Sequence, residues 1–146
     1  MGNLAVVYLL TIILLSEARD IKIEKCGGGD VKRVDMTPCD AEPCAVKRGD
    51  VAVINIPFTS NQDTTSVKVG ISAKLKNVEL PLPGADSDGC KNKGLTCPLK
   101  KGSSNAFTYK LKIQPFYPKI NATAKLHLAG INGDLFCVLF PISIVD

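Results

Sequence analysis

Tryptophan is absent from this 146-residue chain, histidine occurs once, methionine occurs twice, and aromatic residues make up only 5%. A formal charge of +4 with so few aromatic residues lacks the interleaved bases and rings of a nucleic-acid binder, so no nucleic-acid partner is expected. A Ser-His-Asp or Cys-His hydrolase would have to use His127 as its base. Alternation within Ala124-Lys125-Leu126-His127-Leu128 puts that residue on the wet face of a strand. Asp86 and Asp88 read as a turn, and Gly27-Gly28-Gly29 lacks the Lys-Ser/Thr end of a phosphate loop and reads as a flexible turn. No catalytic residue and no cofactor are expected, and the chain reads as non-enzymatic. With 12 Gly and 9 Pro it is too poor in both for a collagen or a low-complexity linker, while 45% hydrophobic residues exclude a disordered chain. The length suits one domain.

Only one long apolar run exists, Leu4 to Leu15. It falls short of the ~20 residues a membrane-spanning helix needs. It ends in Ser16-Glu17-Ala18, with small residues where signal peptidase reads, so residues 1–18 are expected to be a signal peptide. The rival reading is a buried N-terminal core segment. The mature chain, residues 19–146, is then a single secreted domain.

In an oxidising compartment the six cysteines read as three disulfides. Fifteen pairings exist in principle. Proximity favours Cys39–Cys44 and Cys90–Cys97, which leaves Cys26 with Cys137. A zinc site is the competing account, but the close pairs lack two-residue spacing and His127 is remote from them, so no metal is expected.

The clearest strand is Ser66 to Lys76, where Val67, Val69, Ile71, Ala73 and Leu75 alternate with polar or small residues. Phe107 to Gln114 repeats the pattern with Phe107, Tyr109, Leu111 and Ile113 on one face. Val51 to Phe58 is apolar on both faces, which fits a strand covered on both sides or one beside a loop. Ala122 to Ala129 and Leu135 to Ile144 flank Asn132-Gly133, a hairpin signal, and Val31 to Met36 is a weaker strand. No helical period is sustained. Six to seven short strands divided by Pro and Gly predict an all-β antiparallel sandwich of two sheets. Its inward faces offer mostly Val, Ile, Leu and Ala, which fits either tight packing or a space left between the sheets.

Two surface features remain. Asn121-Ala122-Thr123 is an acceptor triplet for N-glycosylation. Lys91, Lys93, Lys100 and Lys101 gather around the Cys90–Cys97 loop, as a solvated face or as a contact for an anionic membrane.

The ordered series Lys25-Cys26-Gly27, Pro38-Cys39, Glu42-Pro43-Cys44, Lys47-Arg48-Gly49, Phe58-Thr59-Ser60-Asn61, Asp88-Gly89-Cys90, Cys97-Pro98-Leu99, Tyr117-Pro118 and Leu135-Phe136-Cys137 resembles the ML (lipid-recognition) domain family. Within it the chain is most similar to the soluble Niemann-Pick type C sterol carriers and their arthropod relatives, with the group-two mite allergens nearby. The resemblance implies an immunoglobulin-like β-sandwich of two antiparallel sheets around a hydrophobic lipid cavity. It also implies the pairing Cys26–Cys137, Cys39–Cys44 and Cys90–Cys97.

Carried over by position, the family's cavity lining falls on Met36, Ile54, Leu82, Leu111 and Ile113, and on Tyr117, Leu126, Val138 and Phe140. Phe58 shares the register of Ile54 and joins them. The mouth is expected near Pro81-Leu82-Pro83 and Tyr117-Pro118, with the Tyr117 phenol as one polar contact in an oily pocket. The sterol carriers have aromatic residues where this chain has Leu82, Leu126 and Val138, which would suit a fatty acid or a differently shaped lipid. Their usual glycosylation triplet aligns at Asn55, where Pro57 removes the acceptor.

The resemblance implies a secreted, monomeric lipid-binding and transfer protein, with the lysosomal lumen as a second destination and a sterol, fatty acid or similar hydrophobic molecule as ligand. The alternatives are an immune factor that presents lipid to a receptor, and a filled sandwich with a structural or adhesive role.

Overall fold

The computed structural model describes residues 18–83 and 85–146. The expected signal peptide, apart from Ala18, lies outside the described residues. The described residues form eleven strands in chain order: β1 (Arg19–Asp20), β2 (Glu24–Lys25), β3 (Asp30–Val31), β4 (Asp35–Thr37), β5 (Cys44–Lys47), β6 (Val51–Thr59), β7 (Lys68–Leu75), β8 (Val78–Pro81), β9 (Ser104–Lys112), β10 (Asn121–Gly130) and β11 (Gly133–Val145).

One sheet is built on β6, which pairs antiparallel with β9 on one side and with β3 and β4 on the other, and β1 extends it beyond β4. The second sheet runs β2–β11–β10–β7–β8, and β5 joins β11 in the single parallel pairing described. The weak strand expected over Val31 to Met36 divides into β3 and β4, which meet opposite halves of β6. β6 itself turns Ala52, Ile54, Ile56 and Phe58 inward, while Val53 and Pro57 on its outer face are only half-buried and Val51 is exposed. Its outer face, which also carries Asn55 and Thr59, is thus mixed in polarity and not covered by a second layer. The four-residue β8 is exposed throughout and carries no burial pattern to read.

The hairpin between β10 and β11 turns at Ile131-Asn132, one residue earlier than the Asn-Gly signal suggests. Gly133 opens the return strand at φ +100°, a conformation that L side chains rarely adopt. Gly29 has a positional need of its own. At φ +122° a Cβ there would stand 2.0 Å from the Leu135 carbonyl oxygen, so this residue of the Gly-Gly-Gly run packs against β11 rather than serving as slack.

All six cysteines are paired, as Cys26–Cys137, Cys39–Cys44 and Cys90–Cys97. The first ties the start of the domain to its last strand across 111 positions of sequence.

The two ends of the sandwich differ. At one end Phe136 packs edge-on against Phe58 and Phe107, with ring centroids 5.2 and 6.0 Å apart. Beside them the buried Gln62 accepts from the Asn132 amide at 2.9 Å and donates to the Gly133 carbonyl at 3.0 Å, while Thr64 accepts from the Ile131 amide. The β10–β11 hairpin is thereby tied to the β6–β7 loop. The opposite end, where aliphatic side chains mix with Phe140 and Tyr117, opens into a groove.

Candidate functional site

The ten residues singled out from the sequence converge on the interior. Met36, Ile54, Phe58, Leu111 and Ile113 come from the β6 sheet and the residue just beyond it; Leu126, Val138 and Phe140 come from β10 and β11. Those eight and Tyr117, from the β9–β10 connection, are each at most 5% exposed and belong to one hydrophobic cluster. Leu82, just after β8, is half-buried and packs against it. Alternation explains most of the convergence: apart from Val138, which follows the buried Cys137, the strand residues have polar, half-exposed or exposed neighbours that face outward.

A groove of about 300 Å3 opens at the end away from the Phe58–Phe107–Phe136 cluster, between the β8 segment of one sheet and the chain that leaves β9. Leu80, Pro81, Leu82 and Pro83 form one wall, and Phe116, Tyr117 and Pro118 form the other. Ala73, Ile120 and Ile144 lie between them. Every lining side chain is apolar except Tyr117. Of the ten expected residues, Leu82 and Tyr117 border this groove; the remaining eight lie in the core. Phe116, 66% exposed, and Leu80, 46% exposed, were not foreseen. Phe116 adjoins Tyr117-Pro118 in sequence, a usable signal, whereas Leu80 sits beside prolines that read only as a turn.

The Tyr117 phenol spends its one donor within the protein and keeps its oxygen as an acceptor. It donates to the Pro83 carbonyl at 2.8 Å, joining the two walls of the groove. Burial pushes its pKa up, so it remains a donor. Tyr109 makes a parallel contact, donating to the Asp86 carbonyl at 3.2 Å, and burial pushes its pKa up as well.

The lysine cluster requires a correction. Lys91, Lys100 and Lys101 are exposed, but Lys93 is only 6% exposed and is not part of a basic face. Its ammonium donates to the Asp86 carboxylate at 2.9 Å and to the Asp88 and Lys91 carbonyls at 2.6 and 3.0 Å, and it lies 5.9 Å from the centre of the Tyr109 ring. Its three donors are therefore used within the loop. Hydrogen bonding to Lys93 holds the Asp86 carboxyl below the usual carboxylate range. Asp86 and Asp88 do make the expected turn, each accepting from the amide two residues on.

His127 lies on the outer face of β10, half-buried, with its Nε2 against an Asp134 carboxylate oxygen. That face is turned away from the groove, so the sole histidine and the apolar interior do not meet.

The fold and the site define a disulfide-bonded β-sandwich with an apolar groove at one end of its core. Residues 20–144 match the ML domain, and the chain belongs to that family. It is 32% identical over 148 residues to the NPC intracellular cholesterol transporter 2 of Bos taurus, covering 99% of each chain. It is 31% identical over 131 residues to the mite group 2 allergen Lep d 2 of Lepidoglyphus destructor, covering 90% of this chain and 92% of the allergen. Among solved structures, a Niemann-Pick type C2 protein from the Japanese carpenter ant superposes with a TM-score of 0.78 at 24% identity, over 85% of this chain and 99% of the other. Chicken MD-1 complexed with lipid IVa gives 0.50 at 14% identity, over 85% of this chain and 98% of the other. Both share the fold.

Proposed function

We propose that the protein is a secreted carrier that holds one sterol, fatty acid or similar hydrophobic ligand between its sheets, taken in through the groove at Leu82 and Tyr117. The observation that carries this reading is the groove: about 300 Å3 of apolar-lined space set against the hydrophobic core. Ligand pockets span roughly 300–1,000 Å3, so a lipid of ordinary size needs further room. That room comes from parting of the sheets around Ile113, Leu126, Val138 and Phe140, while the end closed by Phe58, Phe107 and Phe136 stays shut. Burial of apolar ligand surface supplies ~25 cal/mol per Å2, offset in part by lost freedom. Affinity then needs no charged contact.

The names of the relatives support the same reading: one is a cholesterol transporter and another fold neighbour was seen with lipid IVa. Leu82, Leu126 and Val138 present flexible aliphatic surfaces that suit an acyl chain as well as a ring system. Residues 1–18 serve as the signal peptide and residues 19–146 as a single monomeric domain. The three disulfides support passage through an oxidising compartment, with the extracellular space or the lysosomal lumen as destination. Delivery is a transfer without catalysis, since His127 faces away from the groove and every cysteine is paired. Contact with an anionic membrane or a receptor would use Lys91, Lys100 and Lys101, with Lys93 excluded by its burial.

Mass spectrometry of the organic extract from natively purified protein tests the proposal. One class of lipid in near-equimolar amount is expected. An extract free of lipid, from protein that also takes up no added sterol or fatty acid, overturns it.

A further inference from the structure

We infer that Asn121 carries an N-linked oligosaccharide on the outer face of the β10 sheet, one residue from the rim of the groove. Asn121-Ala122-Thr123 is the single acceptor triplet in the sequence. The fold places it where a glycan can stand. Asn121 is the first residue of β10 and is exposed. Ala122 and Ala124 turn inward and are buried, so Asn121 and Thr123 share the outward face. Asn121 pairs with Ser143 of β11, near the end of the second sheet. A sugar attached there meets solvent without disturbing a core side chain. The three disulfides are an independent sign of the compartment in which such chemistry happens, and the inference rests on the secretory reading above.

In the modification the side-chain amide nitrogen of Asn121 attacks the anomeric carbon of an oligosaccharide activated as a lipid-linked pyrophosphate. The nitrogen–carbon glycosidic bond forms, the sugar carbon–oxygen bond to phosphate breaks, the lipid pyrophosphate leaves, and the amide gives up one proton to the host transferase. Because Ile120 and Pro118 border the groove while Asn121 faces outward, the glycan stands beside the entrance and not across it. It covers the outer face of the second sheet near Thr123 and leaves the Leu80 and Phe116 walls open.

The test is expression of the full chain in insect cells and recovery of the protein from the medium. Intact mass and gel mobility are compared before and after peptide N-glycosidase, which leaves aspartate in place of a modified Asn121. Wild type and Thr123→Ser are expected to shift on treatment; Asn121→Gln and Thr123→Ala are not. Uptake of a fluorescent fatty acid is expected to agree within about twofold between treated and untreated protein. A secreted wild type that carries no sugar overturns the site and leaves the carrier reading standing. An unmodified chain that stays in the cytosol overturns the site and the secretory reading together. Uptake that rises severalfold on removal of the sugar overturns its placement away from the groove.

Discussion

Lys93 shows how one lysine of a basic cluster can fold inward and hold a loop together. Its ammonium closes the Asp86–Lys91 turn onto the ring of Tyr109, whose hydroxyl holds the Asp86 carbonyl. Lys93→Met keeps the length of the stem and removes the donors, leaving the Asp88 and Lys91 carbonyls without their partner. Lost hydrogen bonds to a charged group predict a destabilisation of about 1–3 kcal/mol, measured by urea unfolding. The pH dependence of this contact has a definite sign. Because the folded Asp86 carboxyl is held below its ordinary range, its contribution is present above the unfolded pKa and is lost as pH falls through the depressed one. An NMR titration of the Asp86 carboxyl is expected to show a midpoint below the usual carboxylate range, moving back up in Lys93→Met. Nothing in Lys91-Asn92-Lys93 marks which lysine folds inward, since that depends on where Asp86 and Tyr109 come to lie. The same is true of Tyr117: sequence places its ring at the mouth, but the Pro83 carbonyl that binds its hydroxyl belongs to a distant segment.

At the scale of elements, legibility followed length. β7, β9 and β10 run eight residues or more and bury one face against a core, so their alternation shows in the sequence, whereas β11, with Leu135 to Val138 all buried, reads as a continuous apolar run beside a hairpin signal. β1, β2, β3 and β8 are two to four residues long and are defined by their partners, so no pattern announces them. Of the groove, Leu82 and Tyr117 were legible through the family motif; Leu80 was not, because an exposed residue in β8 has no periodic neighbours. Two ties between elements can be tested. Replacing both Cys26 and Cys137 by Ser removes the closure of the longest loop and is expected to cost ~2–5 kcal/mol, read as a lower midpoint in denaturant. Gln62→Ala strips the Asn132 amide and Gly133 carbonyl of their partner and is expected to cost about 1–3 kcal/mol. Hydrogen exchange of the Asn132 amide should accelerate in that variant while Val138 in mid-β11 keeps its protection.

For the molecule as a whole, the proposed carrier function depends on the inequality of its two ends. Three phenylalanine rings and the Gln62 network close one end; the groove and the Tyr117–Pro83 bond sit at the other. On the proposed carrier reading, ligand space is gained by parting core side chains such as Ile113, Leu126, Val138 and Phe140. Val138, fully buried on the inner face of β11, is a probe of that space. In a sandwich that is permanently filled, Val138→Trp costs typically 1–3 kcal/mol through overpacking and changes nothing else. In a sandwich that parts for a lipid, the indole occupies the space the ligand would take. The most direct measurement is therefore an equilibrium titration of wild type and Val138→Trp with a fluorescent fatty acid and a fluorescent sterol, run beside a melting curve of each protein. Saturable uptake at about one ligand per chain by wild type, lost in a variant that melts within a few degrees of it, is the predicted result. A wild-type chain that takes up neither ligand, or a folded Val138→Trp that binds as wild type does, would contradict a cavity between the sheets.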